Sequence, residues 1–390
     1  MKEKRQVLFQ PLADSSTVDA TGLSTRKDRH RTGFALARNV LGFLTVALIG
    51  LHLVSRTGFV QLDGIGFTRK LKSSCHPQHK SINVGASGLP THYTLPSGDK
   101  IPSVALGVWQ AGEGEVGAAV KVALEAGYRH IDGAWKYDNE AEVGQAIKES
   151  GVAREDIWLT SKLWNWFHAP EDVEPILDKT LDDLQTNYLD LYIIHWPIAL
   201  KKGTFELDEA LTADPYPTWK KLEEMVDKGK VRNIGISNFN IPRIKNLTAN
   251  PLKYMPAVNQ VELSYWNPQP ELLNWCKGHG LLLEAYSPLG SSKQVRETLQ
   301  LPEVQAIAKE LNITPAQAII SWHVQRGTVV LPKSVTASRV KENLQISKLP
   351  DDLFIKLEKA ATSHPPQRMV NPSKSYRLNF DIFDDYPYED

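Results

Sequence analysis

Between residues 104 and 334 the chain alternates eight times, without a break, between short β-branched or aromatic runs and amphipathic segments of helix length. The runs are VALGVW (104–109), HIDGA (130–134), WLTSKLW (158–164), LDLYIIHW (189–196), VRNIGISN (231–238), AVNQVEL (257–263), LLLEAYS (281–287) and TVVLPKS (328–334). The intervening segments have helical periodicity. EVGAAVKVALEAG places Val116, Val120, Ala123 and Leu124 on one face, and APEDVEPILDKTLDDL carries acids in its first turn, where they complement the helix dipole. Strands separated by helices are joined by crossovers and therefore run parallel. Eight such units predict an α/β fold of the (β/α)8, or TIM barrel, type over roughly 280 residues, near the ~250 typical of it. A doubly wound sheet usually stops at about five to seven strands and breaks where a second domain begins; no break occurs here. Ahead of the first unit, THYTLPSGDKIPSV reads as a β-hairpin turning at Ser97-Gly98-Asp99, and the barrel domain is placed at 91–390.

The first 90 residues differ. Residues 1–33 form a polar, basic tail expected to be disordered, and residues 55–90, rich in Gly, Ser, Lys and His and aperiodic, read as a linker. Between them, residues 34–54 (FALARNVLGFLTVALIGLHLV) are apolar apart from Arg38, Asn39, Thr45 and His52, close to the ~20 residues needed to span a bilayer. The long lead and poor cleavage site argue against a signal peptide. A single-pass anchor is the expectation. Eight Lys or Arg precede residue 39, against Arg56 alone over 55–68, so the N-terminus would face the cytoplasm. The localisation expected is a membrane, or the cytoplasm if this segment does not insert.

Lys plus Arg and Asp plus Glu number 45 each, so no global field draws the molecule to nucleic acid, and any phosphate must be met by a local cluster. Two cysteines, Cys75 and Cys276, in dissimilar segments supply neither a disulfide framework nor a CxxC metal site. GEGEVG, residues 112–117, has the glycine spacing of a dinucleotide-binding turn, with Asp132 twenty residues after Gly112. It lies, however, in the first βα loop, and Glu113 and Glu115 would repel a pyrophosphate. The spacing is read as coincidence.

Barrel enzymes place their chemistry at the C-terminal ends of the strands. Asp132 and Tyr137 follow the second strand, Lys162 lies on the third, and His195 ends the fourth. Each has an ordinary reading alone: a turn cap, a loop tyrosine, a paired lysine, a core histidine. Together they make a proton-delivery set. A cation beside a tyrosine stabilises its phenolate, a carboxylate keeps that lysine charged and aimed, and a histidine can orient a carbonyl by hydrogen bonding. No HExxH, paired-histidine or nucleophile–base motif occurs, so no metal is expected and a hydride source is needed. Strand eight ends in Lys333, and Arg339 opens the next helix. Two cations and several hydroxyls there form an anion site where barrels commonly bind phosphate.

GYRHIDGAWKYDNEAEVGQAI, LTSKLWNWFH, DLYIIHWP, GISNFN, AVNQVELSYWNPQPELL, AYSPLGS and VVLPKSVTASRVKENL resemble, in order and spacing, the aldo-keto reductase superfamily, especially its aldose and aldehyde reductase branch. The resemblance runs from about Thr91 to the end. It implies a barrel that reduces aldehydes or ketones with NADPH, without metal, as a monomer acting on a small-molecule carbonyl. It further implies Tyr137 as general acid, tuned by Lys162 and Asp132, with His195 orienting the carbonyl. Ser237, Asn238 and Gln260 would hold the nicotinamide carboxamide, and Tyr286 would stack on the ring. Ser287, Leu289 and Ser291 would meet the pyrophosphate; Lys333, Ser334, Thr336, Arg339, Glu342 and Asn343 would hold the adenosine end, with NADP favoured over NAD. Trp109, Trp164, Phe167 and Trp196 would line the substrate pocket, and residues 371–383 would set selectivity. An alternative is a cofactor-sensing regulatory subunit of a membrane complex, as the potassium-channel β subunits of the superfamily are.

Overall fold

The computed structural model describes residues 85–383. The tail over 1–33, the anchor expected over 34–54 and the linker up to residue 84 lie outside the described residues. Among the described residues no helix is long and apolar enough to cross a membrane.

In chain order the elements are β1 (His92–Thr94), β2 (Lys100–Pro102), β3 (Leu106–Gly107), α1 (Glu115–Ala126), β4 (His130–Asp132), α2 (Glu140–Ser150), β5 (Trp158–Leu163), α3 (Pro170–Asp183) and β6 (Leu189–Ile194). There follow β7 (Ala199–Leu200), β8 (Leu207–Asp208), α4 (Glu209–Ala213), α5 (Tyr216–Asp227), β9 (Val231–Ser237), α6 (Ile241–Thr248), β10 (Val258–Glu262), α7 (Pro270–Gly278) and β11 (Leu282–Tyr286). The chain continues with α8 (Ser291–Gln300), α9 (Pro302–Leu311), α10 (Pro315–Gln325), β12 (Val329–Leu331), α11 (Ala337–Asn343) and α12 (Asp351–Ala361).

All eight strands read from the alternation are present, hydrogen-bonded in the order β12-β11-β10-β9-β6-β5-β4-β3. Every pair in that sheet is parallel. Parallel bridges Val104↔Val330 and Gly107↔Lys333 join its two edges, so the sheet closes on itself and leaves no open edge to aggregate. The expected hairpin forms between β1 and β2, with Thr94 opposite Lys100. Its Leu95 and Ile101 are buried among Trp158, Val258 and Val329, which begin or precede the barrel strands, so the hairpin stops the N-terminal end of the barrel. Each such side chain contributes about 1.5–3 kcal/mol by leaving water.

Helix placement follows from close approach as well as from periodicity. At Gly144 in α2 a Cβ would stand 2.5 Å from the Leu184 backbone carbon, so only glycine lets α2 lie against the end of α3. Helix α10 begins with a capping box: Thr314 accepts from the Gln317 backbone N–H at 3.2 Å while Gln317 Oε1 accepts from the Thr314 N–H at 2.8 Å.

Three features depart from the simple alternation. The β7–β8 hairpin and α4 are inserted after β6, and three helices rather than one separate β11 from β12. The packed domain also begins before residue 91. Leu89 is buried in the main core, and the Ser87 carbonyl accepts from the Lys348 N–H at 2.9 Å. An extended segment docked by one apolar side chain has no periodicity to announce it.

Candidate active site

Asp132 is the last residue of β4, and Lys162 lies on β5, the adjacent strand. The Lys162 ammonium donates to both Asp132 oxygens, at 2.9 and 2.8 Å, and to the Gly133 carbonyl at 2.7 Å. Its side chain is 1% exposed, so these three acceptors replace all the water it has lost. Burial pulls the Lys162 ammonium toward neutrality, but Asp132 and Tyr137 more than offset this and hold it above the ordinary lysine range. Tyr137 ends a single 3-10 turn, Trp135–Tyr137, just past β4, with Lys162 Nζ 5.2 Å from its ring centroid.

Lys162 makes Tyr137 easier to ionise, as expected, but it does not set the net direction. Burial raises the phenol above its usual value, and Lys162 recovers only part of that. The sequence shows the cation but not the depth of burial. His195 follows β6, its ring centroid 5.8 Å from that of Tyr137 and 5.2 Å from that of Trp164. Burial first, then the charges of Lys162, His168 and Lys136, push it well below the ordinary histidine value. Neutral imidazole carries one N–H donor, as carbonyl orientation requires.

Deeper in the barrel, Gln260 on β10 donates through Nε2 to Asp132 at 2.8 Å and to Glu284 on β11 at 3.0 Å. Beside it, Ser237 donates to the Gln260 carbonyl at 2.7 Å, and Asn238 Nδ2 donates to the His195 carbonyl at 3.0 Å. Tyr286 donates to Asn238 Oδ1 at 2.8 Å. One network therefore joins all four proton-delivery residues' neighbourhood to the four residues expected around a nicotinamide. Glu284 did not figure among the candidates, although an acid inside LLLEAYS is a readable signal, because a carboxyl in an apolar strand is costly.

The mouth is aromatic. Trp164 contacts Trp166 and Tyr376 edge-on at 6.5 Å between centroids, Trp196 contacts Phe383 at 6.1 Å, and Trp109 is 40% exposed. Phe167, as buried as Trp196, packs on Trp135 at 4.9 Å, and Trp135 in turn contacts Trp166 at 6.3 Å. The sequence did not single out Trp166 or Phe205, and it included Tyr376 only within 371–383. Phe205, in the β7–β8 hairpin, stacks on Tyr376 at 5.9 Å. The segment 371–383 is held against the barrel by Asn240, which donates to the Phe383 carbonyl at 3.0 Å, and Arg243, which donates to that of Ile382 at 3.1 Å. Just before it, Glu262 accepts from the Val370 N–H at 2.7 Å and the Met369 N–H at 2.8 Å.

Past β11, Ser287, Gly290 and Ser291 have left-handed backbone at φ 49°, 91° and 58°, and Leu289 packs on the Tyr265–Trp322 cluster. Turns of this kind direct backbone N–H groups into an anion-binding concavity. Past β12, Lys333, Thr336 and Arg339 are exposed, with Lys333 donating to the Gln110 carbonyl at 3.1 Å and Ser334 Oγ accepting from the Thr336 N–H at 3.1 Å. Asn343 is buried, and Glu342 accepts from Thr314 Oγ1 at 2.6 Å, at the start of α10. Among the described residues no cluster of His, Cys, Asp and Glu could hold a metal ion.

The GEGEVG loop is already filled by the chain's own acids. The Gly112 N–H donates to Glu115 at 3.1 Å, and the Gly114 and Gly117 N–H groups donate to Glu142 at 3.1 and 2.8 Å. Gly112→Ala with Gly114→Ala is expected to cost about 1–2 kcal/mol of stability, since Gly114 has φ 80°, and to leave NADPH affinity within about twofold by fluorescence titration.

Residues 103–361 match the model of the aldo/keto reductase family. The chain is 40% identical over 309 residues to a glycerol 2-dehydrogenase (NADP(+)) of Hypocrea jecorina, covering 74% of this chain and 96% of that protein. It is 44% identical over 274 residues to aldo-keto reductase family 1 member A1-A of Danio rerio, covering 65% and 83%. Among solved structures, the aldose reductase from Schistosoma japonicum superposes with a TM-score of 0.69 at 37% identity, over 77% of this chain and 99% of that one.

Proposed function

The chain belongs to the aldo/keto reductase family, and from that premise we propose that it reduces aldehydes or ketones, sugar-like carbonyls included, to alcohols with NADPH. The observation that carries the reading is the Lys162–Asp132 pair beneath Tyr137, with the neutral His195 ring across from it. Tyr137 delivers a proton from its hydroxyl to the carbonyl oxygen. Lys162 stabilises the phenolate left behind, and Asp132 keeps that lysine charged and aimed. His195 holds the carbonyl oxygen by an N–H donor, and Trp109, Trp164, Phe167 and Trp196 give the substrate apolar walls that exclude water.

The residues present fit the cofactor. Asn238 and Tyr286 meet at the strand ends, the left-handed loop after β11 offers backbone donors, and Lys333 and Arg339 put two exposed cations beyond β12. In this assignment Ser237, Asn238 and Gln260 hold the carboxamide, Tyr286 backs the ring, and residues 287–291 meet the pyrophosphate. Lys333, Ser334, Thr336, Arg339, Glu342 and Asn343 take the adenosine end. When bound there, NADPH supplies the hydride. The similarity to the Hypocrea glycerol 2-dehydrogenase (NADP(+)) supports NADP as the partner.

The test is NADPH oxidation by the purified chain with a generic aromatic aldehyde; no turnover over a broad panel of aldehydes and ketones would overturn the reading. Lys333→Ala with Arg339→Ala is expected to raise the NADPH dissociation constant about 30-fold while changing that for NADH less than about threefold, because charged hydrogen bonds to a phosphate are strong. Equal losses for both cofactors would remove these residues from the 2′-phosphate. Membrane attachment through residues 34–54 rests on the sequence, and fractionation with protease protection decides it.

A further inference from the structure

Glu284 sits in the middle of an apolar strand, in register with Gln260 and completely buried. Its neighbours Leu283 and Ala285 join the outer core, so Glu284 shares the opposite, barrel-facing side with Leu282 and Tyr286. Its Oε2 accepts from Gln260 Nε2 at 3.0 Å, and that same nitrogen donates to Asp132 at 2.8 Å. Its Oε1 has no hydrogen-bond partner. One amide nitrogen thus bridges two carboxyl groups, and the second of them holds the lysine beside Tyr137.

The charged groups acting on Glu284 are Asp132 from β4 and Lys162 from β5; β10 presents Gln260 and β12 presents Val329 opposite it. Asp132 and Lys162 cancel each other. The proton on Glu284 therefore decides whether this cluster is neutral or carries a net negative charge. Burial and then Asp132 push the Glu284 carboxyl up to about 8, so the change falls within the range of an ordinary assay.

We propose that Glu284 is a positioning residue for the proton donor: neutral, it leaves the Lys162 charge available to the Tyr137 phenolate, and ionised, it opposes that charge. The inference rests on the reading of Tyr137 as donor. A negative charge added near a forming phenolate makes the phenol a weaker acid, and a weaker acid delivers its proton more slowly. Carbonyl reduction is therefore fast below the Glu284 transition and slows as pH rises through it.

The experiment is the pH dependence of kcat/KM for an aromatic aldehyde at saturating NADPH, in the full chain, Glu284→Gln and Glu284→Asp. The parent is expected to lose about tenfold between pH 6.5 and 9.5, roughly the effect of one added charge at intermediate distance. Glu284→Gln should reduce that loss to less than about threefold, because no carboxyl remains to ionise. Glu284→Asp should keep the loss with its midpoint displaced by about half a pH unit or more, since the shorter side chain changes its bond to Gln260. Superimposable profiles for parent and Glu284→Gln overturn the proposal; if that variant does not fold, an unmoved midpoint in Glu284→Asp does so. Parental turnover by Tyr137→Phe would instead remove the reading beneath it.

Discussion

Tyr137→Phe is expected to lower kcat/KM for aldehyde reduction about 10³-fold, within the range general acid catalysis contributes. The substitution removes one hydroxyl. The ring stays packed on the core, and Lys162 keeps its two Asp132 oxygens and the Gly133 carbonyl, so no buried charge is orphaned. The thermal midpoint should move by no more than a few degrees and NADPH affinity by less than about threefold, which separates lost chemistry from lost structure. Steady-state turnover, calorimetry and fluorescence titration on one preparation make the comparison. A variant with parental turnover would sink the assigned mechanism.

Breaking the ion pair is expected to cost both stability and rate, and the two can be separated. Lys162→Met leaves Asp132 buried with Gln260 as its remaining side-chain donor, and Asp132→Asn leaves a buried ammonium with weaker acceptors. Each single change should destabilise by about 3–5 kcal/mol, because a buried charge that loses its partner still bears its desolvation. Removing both charges together should restore most of that stability. Activity should not return, since without Lys162 burial alone governs Tyr137, and burial already holds the phenol above its usual value. We expect the single and double variants alike to turn over about 10²-fold or more below the parent. A double variant that regained parental rate would show that the pair serves folding alone.

Much of the barrel was legible because the signals that specify it are local. Short β-branched or aromatic runs and 3.6-residue periodicity are properties of a few adjacent residues, and all eight runs appear as parallel strands in chain order. The hairpin at Ser97-Gly98-Asp99 was equally local, with Gly98 at φ 94°. The insertion after β6 was not foreseen: β7 and β8 are two residues each, too short to carry a period. Within LWNWFH, Phe167 and Trp166 both pack on Trp135, at 4.9 and 6.3 Å, and Trp166 also reaches Trp164. A 3-10 turn spans Asn165–Phe167, and its geometry redistributes the side chains of that stretch.

The amino-acid order by itself determined the number and sequence of the barrel strands, and with them the placing of Asp132, Tyr137, Lys162 and His195 near strand ends. The tertiary structure decided what those groups are electrically. Whether Tyr137 is easier or harder to ionise, whether His195 is neutral, and whether Glu284 belongs to the same cluster depend on charges brought together from β4, β5, β10 and β11 and on the water excluded around them. Periodicity acts along the chain, whereas desolvation and Coulomb interaction act through space. Only closure of the barrel brings residues as far apart in sequence as Asp132 and Gln260 to 2.8 Å.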